Sequence, residues 1–306
     1  MKWHLSVPAT SANLGPGFDM LGLALDLRLT LKAEVASTYQ LELSGYGAEQ
    51  YPKDASNLVI QAYEYACRTH AWPITNLALK ITNPIPVSSG LGSSASAIAI
   101  GLALAREVHQ QPWDRHQMVR EATAIEGHPD NVAPAILGGL IRCDSNGLQT
   151  QTHRCQLSPN ILVLAATPDE QANTQAMRKI LPLPHSPECL RNQNRQVSTL
   201  LKGLAEADPE ALAISTHDQM HQPYRLALLP KARQLFQLFQ SLNAFAGTYL
   251  SGSGPTVAGW VLHGKNPSLE VTQQLQQMGL VADVRLLRPD QDGVRREATE
   301  RVLTSV

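Results

Sequence analysis

A glycine-bearing loop that opens straight into an almost uncharged helix constrains the fold of this 306-residue chain more than any other feature. The loop reads Pro86-Val87-Ser88-Ser89-Gly90-Leu91-Gly92-Ser93-Ser94-Ala95-Ser96. Gly90 and Gly92 permit positive φ and let a ligand approach the backbone without meeting a Cβ. Ser93 or Ser94 is a candidate N-cap. The run from Ala95 to Val108, dominated by Ala, Ile and Leu, predicts a buried helix. Free N–H groups at its start, together with the positive end of its dipole, suit an anion such as phosphate. The loop is not a Walker A motif, because no Gly-Lys-Ser/Thr closes it. With no lysine in the loop, backbone amides, a bound cation or distant residues must neutralise the phosphate charge.

Charged residues make up 17% of the chain and its net charge is −1, which leaves no basic surface for nucleic acid or membrane. A hydrophobic fraction of 43% suits a globular protein with a substantial core. Cys67, Cys143, Cys155 and Cys189 form no C-x-x-C pair. Their spacing speaks against zinc or a disulfide framework and fits a reducing cytoplasm. The first residues, Met1 to Pro8, lack the apolar run of a secretory leader, and every apolar stretch is interrupted by charge before it could cross a bilayer. A cytoplasmic protein without a nucleic-acid or membrane partner is the expectation.

In chain order, His4 to Val7 reads as a short strand ending in the turn-rich loop Pro8-Ala9-Thr10-Ser11-Ala12-Asn13-Leu14-Gly15-Pro16-Gly17-Phe18-Asp19. Long loops in compact domains are often functional. Leu23, Leu25, Leu27, Leu29 and Leu31 alternate with smaller or polar residues, the period of a strand with one buried face. Asn57 to Arg68 predicts a helix with Ser56 as its cap, and Trp113 to Ile125 a second, amphipathic one. The latter runs into Glu126-Gly127-His128-Pro129-Asp130-Asn131, a polar group wedged between apolar runs. Such a group is either hydrogen-bonded internally or waits for a ligand, and the residues alone do not decide. Beyond about residue 157 long polar-faced helices dominate, with Ser251-Gly252-Ser253-Gly254-Pro255-Thr256 a second glycine turn. The change of character predicts two domains, 1–155 and 156–306. Gly259 to Asn266 nearly spells a Walker A loop, but it ends in Asn and its middle is an apolar strand, so it is set aside.

Taken together, the loop before Asp19, the Pro86 to Ser96 run and the Ser251 to Thr256 turn resemble the three motifs of the GHMP small-molecule kinases. His128-Pro129-Asp130-Asn131-Val132-Ala133-Pro134 and the first loop resemble the homoserine kinase branch in particular. The resemblance spans essentially the whole chain. It implies an α+β, two-layer GHMP kinase fold: an N-terminal domain with a left-handed β-α-β crossover and a C-terminal ferredoxin-like domain, with nucleotide between them. It also implies ATP-dependent phosphorylation of the L-homoserine hydroxyl to O-phospho-L-homoserine, for threonine biosynthesis, with Mg²⁺ as cofactor, and it admits a homodimer. The rivals are a GHMP kinase for another small alcohol and a catalytically silent sensor.

By the same resemblance, the nucleotide would contact Pro86, Val87, Ser88, Ser89, Gly90, Leu91, Gly92, Ser93, Ser94, Ala95 and Ser96, together with Asn57. Asp19, helped by Asn13, would hold the substrate ammonium. Arg178 and Arg225 would clamp its carboxylate, a task that suits the bidentate guanidinium; the plain alternative for either arginine is a solvated surface charge. His128 and Asn131 would meet the hydroxyl and the transferred phosphate. Asn131 stands where some relatives carry an Asp base, so catalysis is expected to rest on alignment and charge rather than on a protein base. Ser94 would be one magnesium ligand. Glu121 and Glu126 both precede His128, and the helical wheel does not choose between them. Glu121 lies nearer the family spacing, off by one residue, and is taken as the second ligand.

Overall fold

The computed structural model describes residues 1–145, 150–182 and 184–298. The last eight residues of the expected second domain, 299–306, therefore lie outside the described residues, as do 146–149 of the first. The N-terminal half comprises β1 (Lys2–Ala12), β2 (Leu21–Val35), β3 (Gln40–Gly45), α1 (Leu58–Thr69), β4 (Leu77–Asn83), α2 (Ser93–Val108), α3 (Arg115–Glu126), α4 (Pro129–Leu137), β5 (Leu140–Ser145) and β6 (Thr150–Cys155). The rest comprises β7 (Ile161–Pro168), α5 (Thr174–Lys179), α6 (Pro187–Glu206), α7 (Pro209–Ser215), α8 (Gln222–Leu228), α9 (Pro230–Ser241), β8 (Thr248–Leu250), β9 (Val257–Leu262), α10 (Ser268–Gln277), β10 (Ala282–Leu287) and β11 (Arg295–Arg296).

The first sheet runs β11-β1-β2-β4-β3, with β5 on β2 and β6 on β5. β3 and β4 are parallel and joined through α1, while β1, β2 and β4 pair antiparallel. The leucine alternation of β2 does bury one face from Leu27 onward, but Leu21 to Leu25 are buried on both faces. β1 is longer than its sequence suggests. Pro8 sits at a register shift against β2, where a missing N–H is tolerated, and the strand continues through the buried hydroxyls of Thr10 and Ser11. On the other side, α2 is buried over nearly its whole length, as its uncharged sequence requires.

The second sheet runs β10-β7-β9-β8 and is antiparallel throughout. In order of appearance that is 4-1-3-2, with helices in the crossovers, a ferredoxin-like arrangement. Gly259 to Leu262 falls within β9, which disposes of the Walker-like match. The two halves are not a simple succession. After β10 the chain returns to the first sheet: Asp290 N–H donates to Ala24 O at 2.9 Å, Arg28 pairs with Asp290, and β11 adds to the edge of β1. Strands β1 to β6 precede residue 156 and β7 to β10 follow it, while residues 288–297 return to the first sheet.

Candidate active site

Three loops that are far apart in sequence are braced against one another at the junction of the sheets. Thr10 N–H donates to Leu91 O (3.0 Å), Gly252 N–H to Ala12 O (3.0 Å) and Thr256 N–H to Ser89 O (3.0 Å). The Ser251 hydroxyl lies 2.8 Å from Ser11 Oγ and donates to Gly90 O at 2.6 Å. Gly90 has φ +83°, and a Cβ there would stand 2.1 Å from Ser251 O, so the close approach of these two loops requires glycine. The first loop carries Asn13, Leu14 and Asp19 at positive φ, three uncommon conformations within seven residues. Backbone strain of this kind collects at functional sites.

These loops enclose a cavity of about 250 Å³ lined by Asn13, Asp19, Tyr51, Val87 to Gly90, Gly92 to Ser94, Glu126, His128, Asp130, Asn131, Arg178, Arg225, Gly252 and Ser253 among others. It adjoins a second, more apolar cavity of about 290 Å³ lined by Leu43, Tyr46, Tyr51, Pro52, Asn57, Asn83 and Ala97. Tyr51, Ser93 and Ser94 border both. Gly92, in the left-handed region at φ +70°, is itself the N-cap of α2, with no side-chain cap. Neither Ser93 nor Ser94 caps the helix, so the first amides of α2 face the cavity region uncapped.

Most predicted site residues meet here, and some do not. Within the Pro86 to Ser96 run, Pro86, Leu91, Ala95 and Ser96 are buried behind the loop rather than on the cavity wall; Ser96, for example, donates to Pro8 O at 2.8 Å. Asn57 walls the apolar cavity, but its amide is committed: it caps α1 by accepting from Val59 N–H and donates to Pro52 O. Asn57, not Ser56, is therefore the cap, and it shapes the wall rather than offering a free hydrogen bond. Asn13 likewise spends its side chain on the frame, accepting from Asp19 N–H and donating to Gly252 O.

Glu121 has to be corrected. Its side chain is 7% exposed, and it accepts from Arg106 Nη2 at 2.9 and 3.0 Å and lies 2.7 Å from His70 Nε2. This ion pair ties α3 to α1 and α2 away from the cavity, and buried carboxylates require such partners. Glu126, by contrast, lies on the cavity rim, where the Ser94 hydroxyl donates to its Oε2 at 2.7 Å.

The polar group ahead of α4 resolves both ways, internally bonded and facing the cavity. His128 Nδ1 donates to Asp130 Oδ1 at 2.9 Å. Burial draws the His128 pKa down, but the hydrogen bond and charge of Asp130, with Glu126 adding to them, carry it above its ordinary value. Thr10 Oγ1 donates to Asn131 Oδ1 at 2.8 Å, which turns the Asn131 amide N–H₂ away from β1. Thr10, Tyr51 and Asp130 were missed in sequence. An acid in the first turn of a helix is a visible signal for Asp130, whereas nothing local marks Thr10 or Tyr51.

Arg178 and Asp19 pair with each other through two bonds of 2.7 and 2.6 Å, and each side chain is 35% exposed. The Asp19 hydrogen bond holds the Arg178 pKa above its ordinary value. Arg225 is different. It is buried on α8, donates to Gly252 O (2.8 Å) and Met177 O (3.3 Å), and has no carboxylate partner among the described residues. Burial, then the charge of Arg178, depresses its pKa to about 10. Arg225 thus places a buried guanidinium on the cavity wall, bonded to carbonyl oxygens rather than to a carboxylate of the described residues.

The arrangement can be compared with known proteins. The family described as GHMP kinases N terminal domain matches residues 57–139, and GHMP kinases C terminal matches 200–279. The homoserine kinase of Moorella thermoacetica is 36% identical over 289 residues, 94% of this chain and 97% of that one. The chain belongs to the homoserine kinase family of GHMP kinases. A second member, from Synechococcus sp., is 39% identical over 261 residues, 84% of this chain and 85% of its own. The crystal structure of homoserine kinase from Cytophaga hutchinsonii shares the fold, with TM-score 0.86 at 22% identity and 97% of each chain covered. Membership in this family accounts for the α+β architecture of two sheets with the glycine loops at their junction. No helix among the described residues is long and apolar enough to cross a membrane.

Proposed function

We propose that the chain transfers the γ-phosphoryl group of ATP to the side-chain hydroxyl of L-homoserine, giving O-phospho-L-homoserine. The observation that carries this reading is the buried, anion-free Arg225 beside the Asp19–Arg178 pair. A zwitterionic amino acid offers an ammonium to Asp19 and a carboxylate to the two arginines, whereas mevalonate or a sugar has no ammonium to offer. The adjoining apolar cavity behind Tyr51 suits a purine, and the uncapped start of α2 suits its phosphates.

Ser94 Oγ and Glu126 Oε2 are hard oxygen donors on the rim of the phosphate cavity, and they fit a magnesium ion. Two protein oxygens suffice, because magnesium usually takes its remaining ligands from phosphate and water. When bound there it supplies positive charge against the phosphates. The chain's own residues do the rest by position. Asn131 has no titratable proton to exchange; Thr10 holds its carbonyl oxygen, and its amide N–H₂ donates to Asp130 Oδ1 at 3.5 Å. Asp130 holds His128 through its Oδ1. His128, held in place by Asp130, lines the cavity beside Asn131 and helps position the reacting groups. Phosphoryl transfer through a loose transition state asks for little more than alignment and charge, and a γ-phosphate oxygen can take the hydroxyl proton. An ADP-release assay over a panel of alcohols tests the reading. Turnover confined to homoserine supports it, and turnover of mevalonate or a hexose without homoserine overturns it.

A further inference from the structure

Arg225 does not hold its own position. His221, four residues earlier, occupies the same face at the start of α8 and is completely buried. Asp218 fixes this turn by accepting from the N–H groups of Met220, His221 and Gln222, and from Gln193 Nε2. His221 Nε2 donates to Gly15 O at 2.8 Å, which leaves Nδ1 as an acceptor. Arg225 Nη1 donates to that nitrogen at 3.3 Å. Gly15 belongs to the loop that carries Asp19, and Phe18 of the same loop stacks on the His221 ring with centroids 5.3 Å apart. The Phe18 ring in turn lies beneath both guanidinium groups, 5.2 Å from Arg225 and 5.7 Å from Arg178. One imidazole thus touches the Asp19 loop on one side and Arg225 on the other.

We propose that His221 is a positioning residue for the amino-acid site: as the neutral Nε2–H imidazole, it fixes Arg225 against the Asp19 loop and so sets the spacing between the carboxylate and ammonium receptors. The assignment rests on the reading of Asp19 and Arg225 as those receptors. Protonation of Nδ1 would remove the acceptor and set a second cation against Arg225. Burial disfavours that state, followed by the Arg225 charge, against the opposing pull of Asp218 and Asp19.

Two variants and one spectroscopic measurement test this. His221→Leu fills the space without either hydrogen bond, whereas His221→Gln keeps a donor for Gly15 and an acceptor for Arg225. The Leu variant is expected to raise KM for homoserine roughly tenfold, the weight of one misplaced charge-assisted contact. KM for ATP should move less than about twofold, and the Gln variant should recover most of the loss. Equal shifts in both KM values, or identical behaviour of the Leu and Gln variants, would overturn the proposal. If the Leu variant does not fold, nitrogen-15 NMR of the wild-type histidines decides. A neutral Nε2–H His221 at pH 7 is expected, and an Nδ1–H tautomer or an imidazolium refutes the network. A wild type that ignores homoserine refutes the substrate reading, and the tautomer still reports on the network itself.

Discussion

Exchanging each of two glutamates on α3 for glutamine separates a metal ligand from a structural ion pair. Glu121 and Arg106 have side chains 7% and 2% exposed, so Glu121→Gln leaves a buried guanidinium without its counter-charge. Breaking a buried pair from one side costs about 3–5 kcal/mol, and the remaining amide oxygen of Gln places the loss near the lower figure. At about 2–3 °C per kcal/mol for a chain of this size, melting should fall by roughly 6–9 °C. The magnesium dependence of ADP release should not change. Glu126→Gln should do the reverse. Its contact with Ser94 is solvent-exposed, so stability should stay within about 0.5 kcal/mol. The magnesium half-saturation point should rise roughly 10- to 150-fold, from the 1.5–3 kcal/mol of a charged contact. Thermal melts and magnesium titrations at saturating ATP read the two effects independently. A larger magnesium shift for Glu121→Gln than for Glu126→Gln would refute the assignment.

Arg225→Ala should raise KM for homoserine roughly 10- to 150-fold on the same 1.5–3 kcal/mol basis, with KM for ATP nearly unchanged in steady-state kinetics. Arg225→Lys should restore only part, because an ammonium cannot reproduce the fork. Gly92→Ala places a Cβ 1.9 Å from Thr10 Oγ1 and 3.2 Å from Asn131 Oδ1 at φ +70°. It should lower kcat through displacement of Asn131 and also lower the melting temperature; an effect on ATP affinity alone, seen by calorimetry, would contradict this. His221 carries a pKa lowered from 6.5 in the folded chain, so below pH 6.5 the unfolded chain takes up a proton that the folded chain refuses. Stability should therefore fall with falling pH by up to about 1.4 kcal/mol per unit from this residue, until its folded pKa is reached. Urea midpoints should show a shallower acid slope in His221→Gln.

What the sequence made legible was local. The uncharged run of α2 and the leucine alternation of β2 each declare themselves within a dozen residues, and the structure has a helix and a strand at these places; of the turn-rich first loop, only the part after Ala12 is loop. Features set by partners far along the chain were not legible. The true length of β1 depends on β2 and on residues near 251 that pair with its hydroxyls, so Thr10 and Ser11 read as loop. The return of residues 288–297 to the first sheet has no local signal, because its anchor is an ion pair between Arg28 and Asp290. The choice between Glu121 and Glu126 failed for a related reason. Five residues turn a helix by about 140° and advance it about 7.5 Å, which puts them on different faces. Which face meets the cavity is decided by Arg106 and His70 on other helices.

Asp19 and Arg178 show how separately assigned residues become a single device. Sequence reasoning gives one to an ammonium and the other to a carboxylate, yet without substrate each satisfies the other through two short bonds. A zwitterion can replace both partners at once, its ammonium standing in for the guanidinium at Asp19 and its carboxylate for Asp19 at Arg178. That exchange breaks one ion pair and makes two contacts of the same kind, both about one-third exposed, where solvent screens what is gained. Little net affinity follows from it. Among the described residues Arg225 has no such carboxylate partner, and its guanidinium is already desolvated before substrate arrives. The carboxylate contact there is gained without breaking another, in surroundings where charge counts for more. On the proposed assignment of these residues, affinity for an amino acid over an uncharged alcohol would rest chiefly on Arg225, while the Asp19–Arg178 pair would balance the two charges before substrate arrives and set the orientation in which the zwitterion enters.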